Sequence, residues 1–214
     1  MHPRLLIRFI FGALCIGQML LWLTGLRVSA AASTLDSSSK PAQYASRIWR
    51  TQDGLPENRV QAIAQTADGY LWIGTSGGLA RFDGVRFVIY ARFNTPAMMD
   101  DNIRALAVAR DDSLWAATEG GGLLHYSNGH FRCFGPKEGL ANEFVNTVLG
   151  DSRGTIWAGT QRGLFEFNGE KFKRIDESLH LANISFNSLW ESVDHELLAV
   201  GPAGLFSRAG GALH

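Results

Sequence analysis

The sequence predicts an all-β protein made of four antiparallel sheets, and three observations predict it. Tryptophan recurs at a near-constant interval: Trp72, Trp115 and Trp157, with Leu198 in the fourth place, lie 43, 42 and 41 residues apart. A period of that length marks a repeat architecture. Each of these positions is followed by a Gly-Leu pair, at Gly78-Leu79, Gly122-Leu123, Gly163-Leu164 and Gly204-Leu205. The composition agrees, since 24 glycines against 6 prolines and 46% hydrophobic residues suit many tight turns around a real core.

The amino terminus is different in kind. Arg4 and Arg8 precede an apolar run from Phe9 to Leu26, and Val28 to Ala32 supplies small residues. This is the layout of a signal peptide over residues 1–30, cleaved after Ala30 and exporting the domain to the periplasm. An uncleaved membrane anchor helix is the alternative, because a run of this length just spans a bilayer. Loss of the leader removes Arg4, Arg8 and Arg27 and no acid, leaving a mildly acidic domain with Cys133 as its one cysteine. A lone thiol on an apolar strand reads as a small buried hydrophobe. Residues 31–43 are Ser-rich and aperiodic and read as a flexible linker.

The repeats occupy residues 44–214. A first strand is expected from Tyr44 to Arg50, followed by the turn Asp53-Gly54-Leu55-Pro56. Repeat one, about 60–90, carries strands at Val60 to Gln65, Tyr70 to Thr75, Leu79 to Phe82 and Phe87 to Tyr90, with Asp68-Gly69 and Asp83-Gly84 between them as two-residue hairpin turns. Repeats two (103–134) and three (145–175) match it strand for strand, and repeat four (186–214) lacks its outermost strand. The first turn degrades along the series through Asp111-Asp112 and Arg153-Gly154 to Asp194-His195, which makes the last hairpin the least well specified.

Stretches such as Leu71-Trp72-Ile73 and Leu123-Leu124 are apolar on both faces, so each sheet needs covering on two sides, and the neighbouring repeat is the available cover. Twisted four-stranded sheets set radially are β-propeller blades. Trp72, Trp115, Trp157, Gly78, Gly122 and Gly163 are then structural anchors, and small residues such as Gly74 and Ala158-Gly159 let blades approach. Counting the strand at Tyr44 to Arg50 permits a closed ring of four blades, but four is the lower limit of propeller size. We expect an open partial propeller with two exposed blade faces and a tendency to self-associate.

The stretches Trp49 to Pro56, Asp68 to Thr75 and Gly78 to Gly84 together resemble the two-component regulator propeller repeat. Repeat two departs at Ala117, and repeat four has lost the Trp and the Thr. The resemblance implies the periplasmic sensor region of a bacterial hybrid histidine kinase or diguanylate cyclase, whose members carry more repeats, a membrane helix and cytoplasmic output domains. Further blades or kinase or cyclase output domains are the partners it implies, and the chain resembles the truncated front end of such a sensor.

Zero formal net charge gives no electrostatic footprint for nucleic acid. The histidines lack metal-site spacing, no nucleophile elbow or P-loop occurs, and no cofactor is expected. The expected function is ligand sensing without catalysis; a lyase-like or glycosidase-like propeller enzyme and a degenerate fragment or interaction scaffold are the alternatives. Chain parity places the binding face. Short stereotyped turns share one face of the blades, while the other carries length and charge in Glu57, Asn58, Arg59, Asp100, Asp101, Asn102, Glu119, Asn142, Glu143, Gln161 and Arg162. Amide and charged groups converging there from several blades suit a small polar ligand such as a carbohydrate.

Overall fold

The computed structural model describes residues 46–176, 183–209 and 212–213. The leader, the linker and residues Tyr44 and Ala45 lie outside them. Among the described residues, sixteen strands form four antiparallel four-stranded sheets, each in simple meander order. Blade 1 is β1 (Val60–Gln65), β2 (Leu71–Thr75), β3 (Gly78–Phe82) and β4 (Phe87–Tyr90); blade 2 is β5 (Ile103–Val108), β6 (Leu114–Thr118), β7 (Leu123–Ser127) and β8 (His130–Phe134). Blade 3 is β9 (Val145–Gly150), β10 (Ile156–Thr160), β11 (Gly163–Phe167) and β12 (Phe172–Arg174); blade 4 is β13 (Ser188–Glu191), β14 (Leu197–Gly201), β15 (Gly204–Ala209) and β16 (Ala212–Leu213). The innermost strands pack in chain order, β1 on β5, β5 on β9 and β9 on β13, and no packing of that extent joins β13 to β1 among the described residues. The series of blades is not closed.

What joins blades is the tryptophan on the second strand of each. Trp72, Trp115 and Trp157 are nearly fully buried, and each enters the core shared with the following blade. Each indole meets the same position of its neighbour: Trp72 lies 4.8 Å from the Tyr126 ring, Trp115 5.3 Å from Phe167, and Trp157 under the Arg208 guanidinium at 4.8 Å. Close approach needs small residues beside the indole. A Cβ on Gly74 would stand 2.6 Å from Ile103, and one on Gly159 would stand 2.7 Å from Thr147 and 3.0 Å from Phe186. Where blade 2 carries Ala117, the residue facing it from blade 3 is the smaller Val145, and both are fully buried in one core.

A buried threonine ends the second strand in three blades and closes the next turn. Thr75, Thr118 and Thr160 donate to the carbonyls of Gly78, Gly122 and Gly163 at 2.9, 2.7 and 2.9 Å. The same hydroxyls accept the N–H groups of Gly77, Gly121 and Arg162, so each of the three buried hydroxyls both donates and accepts. Gly201 takes this place in blade 4, so its turn has no such closure.

Two expectations are corrected. Among the described residues of the first expected strand, 46–50 are not in a sheet, and β15 pairs with β16, so repeat four has an outermost strand after all. With the edge of β15 occupied, the amino-terminal segment packs by side chains instead. Trp49 and Leu55 cover the outward face of blade 1 over Ile73, Ala80 and Phe82. Trp49 there meets Phe82 edge-on at 5.2 Å, as Phe134 at the end of β8 meets Phe167 at 5.2 Å. Arg47 lies over Trp49 as Arg132 lies over Phe134. The segment therefore takes the place of the outer strand of a preceding blade.

The turns are the second correction. Asn128-Gly129, with φ of 51° and 81°, is a two-residue connection of the expected kind. Asp83-Gly84 is not, because the Asp83 carboxylate accepts the N–H groups of Val85 and Arg86 at 2.8 and 2.7 Å and stretches the turn to four residues. Asn168 does the same for Glu170 and Lys171. Asp68-Gly69 lies in a longer loop between Gln65 and Leu71. The last first-strand hairpin keeps its geometry: His195 adopts φ 60° and Asp112 φ 64°, where blades 1 and 3 place Gly69 at 88° and Gly154 at 90°.

Candidate functional site

The innermost strands of blades 1, 2 and 3 each hold one residue more than their partner at the same point. Val60 pairs with Thr75 and Ala62 with Gly74, so Gln61 is extra. Arg104 falls in the same way between Ile103 and Ala105, and Asn146 between Val145 and Thr147. A bulge of this kind bends the strand and re-aims the extra side chain. The three positions recur at intervals of 43 and 42 residues, in step with the tryptophans, and Asn187 holds the fourth place 41 residues further on. Because the innermost strands pack on one another, these four side chains form a polar row along the inner edge of the blades.

The row is hydrogen-bonded across blades. Gln61 Nε2 donates to Asn102 Oδ1 at 2.6 Å, Asn102 Nδ2 donates to Glu119 Oε2, and Glu119 Oε1 pairs with Arg104 at 2.8 Å. Between blades 3 and 4, Asn146 Nδ2 donates to Ser185 Oγ at 3.0 Å and lies 3.2 Å from both the Phe186 carbonyl and Asn187 Oδ1. These groups remain partly open to solvent, with the Arg104 and Glu119 side chains 36% and 40% exposed. The arrangement offers amide donors and acceptors around one paired charge. That is chemistry for binding hydroxyls, and among the described residues no group of three His, Cys, Asp or Glu is placed to hold a metal.

Of the residues expected at this face, the structure brings Asn102 and Glu119 into the row. Asn58 is engaged locally, accepting the Thr51 N–H at 2.9 Å, and Asn142 accepts the Phe144 N–H at 3.2 Å. Glu57 is half-buried, while Arg59, Glu143, Gln161 and Arg162 are exposed with no side-chain hydrogen bond among the described residues. Gln61, Arg104, Asn146, Ser185 and Asn187 were missed. Their signal was present, since an apolar-polar pair recurs in register at Val60-Gln61, Ile103-Arg104, Val145-Asn146 and Phe186-Asn187.

The opposite face, expected to hold only turn geometry, contains clefts between blades. The cleft between blades 2 and 3 measures about 780 Å³ and is lined by Arg110, Asp111, Trp115, His125, Arg132 and Arg153 among others. His125 stacks on Trp115 at 4.3 Å, and burial lowers its pKa while Asp111 opposes and Arg132 reinforces the shift. The Ser113 hydroxyl, donating at 2.6 Å, lowers the Asp111 pKa. A second cleft between blades 3 and 4, about 510 Å³, includes Asp151, Glu166, Asp194 and Glu196. A third, about 230 Å³, lies between blades 1 and 2 and includes Asp68, Asp111 and Asp112.

The family model of the two component regulator propeller matches residues 54–77 and 139–162. The extracellular domain of a putative hybrid two component system from B. thetaiotaomicron is similar at 26% identity and a TM-score of 0.66, over 74% of this chain and 23% of that one. A second extracellular domain from B. thetaiotaomicron, of a putative one component system, gives 25% and 0.62 over 72% and 22%. Virginiamycin B lyase from Staphylococcus aureus shares the fold at 10% identity and a TM-score of 0.58, over 75% and 56%. The chain thus spans about a quarter of the length of the sensor domains it resembles. No curated protein matches it.

Proposed function

We propose that this chain, which carries two-component regulator propeller repeats, is a ligand-sensing module on the periplasmic side of a membrane-bound sensor. The observation that supports this reading is the polar row of the bulged residues Gln61, Arg104 and Asn146 with Asn187 in the fourth place, tied to Asn102, Glu119 and Ser185. A sensor must gain interaction energy from a ligand without transforming it. Amides and one ion pair along the inner edge can exchange their mutual bonds for bonds to sugar hydroxyls at small net cost. The ligand is a small polar molecule of the carbohydrate class, bound without a cofactor. Signal passes to output domains of the histidine kinase or cyclase type through blades beyond those present here. The leader at residues 1–30 delivers the domain to the periplasm or anchors it at the inner membrane.

Thermal shift against a panel of neutral oligosaccharides tests the reading. A binding sugar should raise the Tm of the chain. The Glu119→Ala, Gln161→Ala, Arg162→Ala triple variant should lose that rise while its own Tm stays close to that of the parent. Unchanged stabilisation of the triple variant would place the site elsewhere, and release of a cleaved product would point to an enzyme.

A further inference from the structure

The tryptophan that joins blades has a polar edge, and two of the three blades provide for it. Trp72 Nε1 donates to the Thr66 hydroxyl at 3.1 Å, and Trp157 Nε1 donates to Asp151 Oδ2 at 2.9 Å. Ala109 holds this place in blade 2. Like Thr66 and Asp151 it directly follows the innermost strand, and its N–H bonds the carbonyl four residues on, to Ser113 at 2.8 Å, as theirs bond Tyr70 and Thr155. A methyl group cannot accept a hydrogen bond. Trp115 is 3% exposed as a residue and lines a cleft; its indole N–H has no protein partner among the described residues and is not fully buried, so it is left available to the cleft.

Ala109 and Trp115 both line the 780 Å³ cleft between blades 2 and 3. Three further donors stand around it, Arg110, Arg132 and Arg153, and none has a carboxylate partner among the described residues. The two carboxylates in the lining are engaged, Glu166 by Arg208 at 2.9 Å and Asp111 by Ser113. The neighbouring clefts carry more acid: one holds Asp151, Glu166, Asp194 and Glu196 beside Arg153 and Arg208, and the other holds Asp68, Asp111 and Asp112 with no arginine. The backbone tie that closes the other blade pairs on this face is also absent here: Ala67 N–H bonds Asp112 at 2.7 Å and Ser152 N–H bonds Glu191 at 2.8 Å, but Arg110, in the same place, makes no such bond among the described residues.

We propose that this cleft binds an acidic sugar of the uronate type through its carboxylate. The ligand carboxylate takes the place that the Asp151 side chain fills in blade 3, accepting the Trp115 N–H and balanced by Arg110, Arg132 and Arg153. Asn168 and Thr155 lie in the wall to meet hydroxyls, and Phe134 and Phe167 contact the ring. A cleft of this size is within the range of about 300 to 1,000 Å³ in which small-molecule sites fall. The site lies on the opposite face from the inner polar row and stands independently of the sensing reading.

The test is titration of the full chain with glucuronate, with glucose as the neutral control, following the Trp115 indole N–H resonance and the heat of binding. Saturable movement of that resonance with glucuronate, absent with glucose and weakened by salt, is expected. Ala109→Asp, which installs in blade 2 the carboxylate that blade 3 already has, should abolish the movement and raise Tm. Arg153→Gln, on an exposed turn, should weaken binding about tenfold and serves if Ala109→Asp does not fold. Arg104→Ala on the inner row should leave glucuronate binding unchanged, which separates this site from the first. No saturable response to glucuronate, an equal response to glucose, or undiminished binding by Ala109→Asp would overturn the proposal.

Discussion

Asp151 shows how much one side chain does in this fold. One oxygen accepts the N–H groups of Arg153 and Thr155 at 3.0 and 2.7 Å and the other accepts the Trp157 indole, so a single carboxylate fixes both a turn and a blade interface. Asp151→Ala strands a buried indole donor and should cost about 2 to 3 kcal/mol in urea unfolding. Cys133 carries the opposite message. Its Sγ lies 3.0 Å from the Gly121 carbonyl, and burial, helped by Glu138 and Glu143, pushes the thiol pKa up to about 11. Native protein should react slowly with a thiol reagent at pH 8, and urea should restore ordinary reactivity. His125 sets a pH limit. Its pKa in the fold lies below the ordinary 6.5, so the unfolded chain takes up the proton first. The stability this contributes is present above pH 6.5 and is lost as pH falls below it; His125→Phe should flatten a plot of Tm against pH in that window.

Strands were the most legible part of the sequence, because short apolar runs bounded by turn residues recur at a fixed interval. The element boundaries in blades 1 and 2 stand within a residue or two of those expected. Turns were less legible, since Asp-Gly codes for two outcomes: a pair of left-handed residues, or a carboxylate that captures two following N–H groups and lengthens the loop, as at Asp83. The bulges went unread because an extra residue in one strand leaves the apolar pattern almost intact and shows only against the partner strand. Glycines divide by the same logic. Gly122 has φ 76° and a Cβ there would lie 2.2 Å from the Phe134 carbonyl oxygen, whereas Gly129 at φ 81° has nothing within 4 Å. Gly122→Ala should therefore cost about 3 kcal/mol and Gly129→Ala about 1 kcal/mol, measured by chemical denaturation.

At the scale of the molecule, the two end blades are treated unequally. Blade 1 is covered on its outward face by Trp49 and Leu55, although Ile63 on its innermost strand stays 64% exposed. Blade 4 presents Trp190 and Leu205, 69% and 65% exposed, on the side away from blade 3. It also places Leu198 where the other blades have tryptophan and Val200 where blade 1 has the Gly74 that admits the next blade. Trp49→Ala should cost about 3 kcal/mol by uncovering a packed face, while Trp190→Ala should stay within about 0.5 kcal/mol. The strand expected from Tyr44 to Arg50 is, over its described residues 46–50, a segment outside any sheet. β16 occupies the edge of β15, and Trp49 and Leu55 pack on blade 1 as a cap.

The central claim is that the bulged inner row is where a ligand is sensed, and amide hydrogen exchange tests it most directly. Gln61, Arg104 and Asn146 sit outside the regular ladder register, so their N–H groups should exchange quickly in the free chain. With an oligosaccharide that raises Tm, exchange should slow at these three residues and at Asn102 and Asn187, leaving the outer strands β4, β8 and β12 unchanged. Slowing confined to the outer strands or to the short-turn face, with the inner row unaffected, would contradict the account.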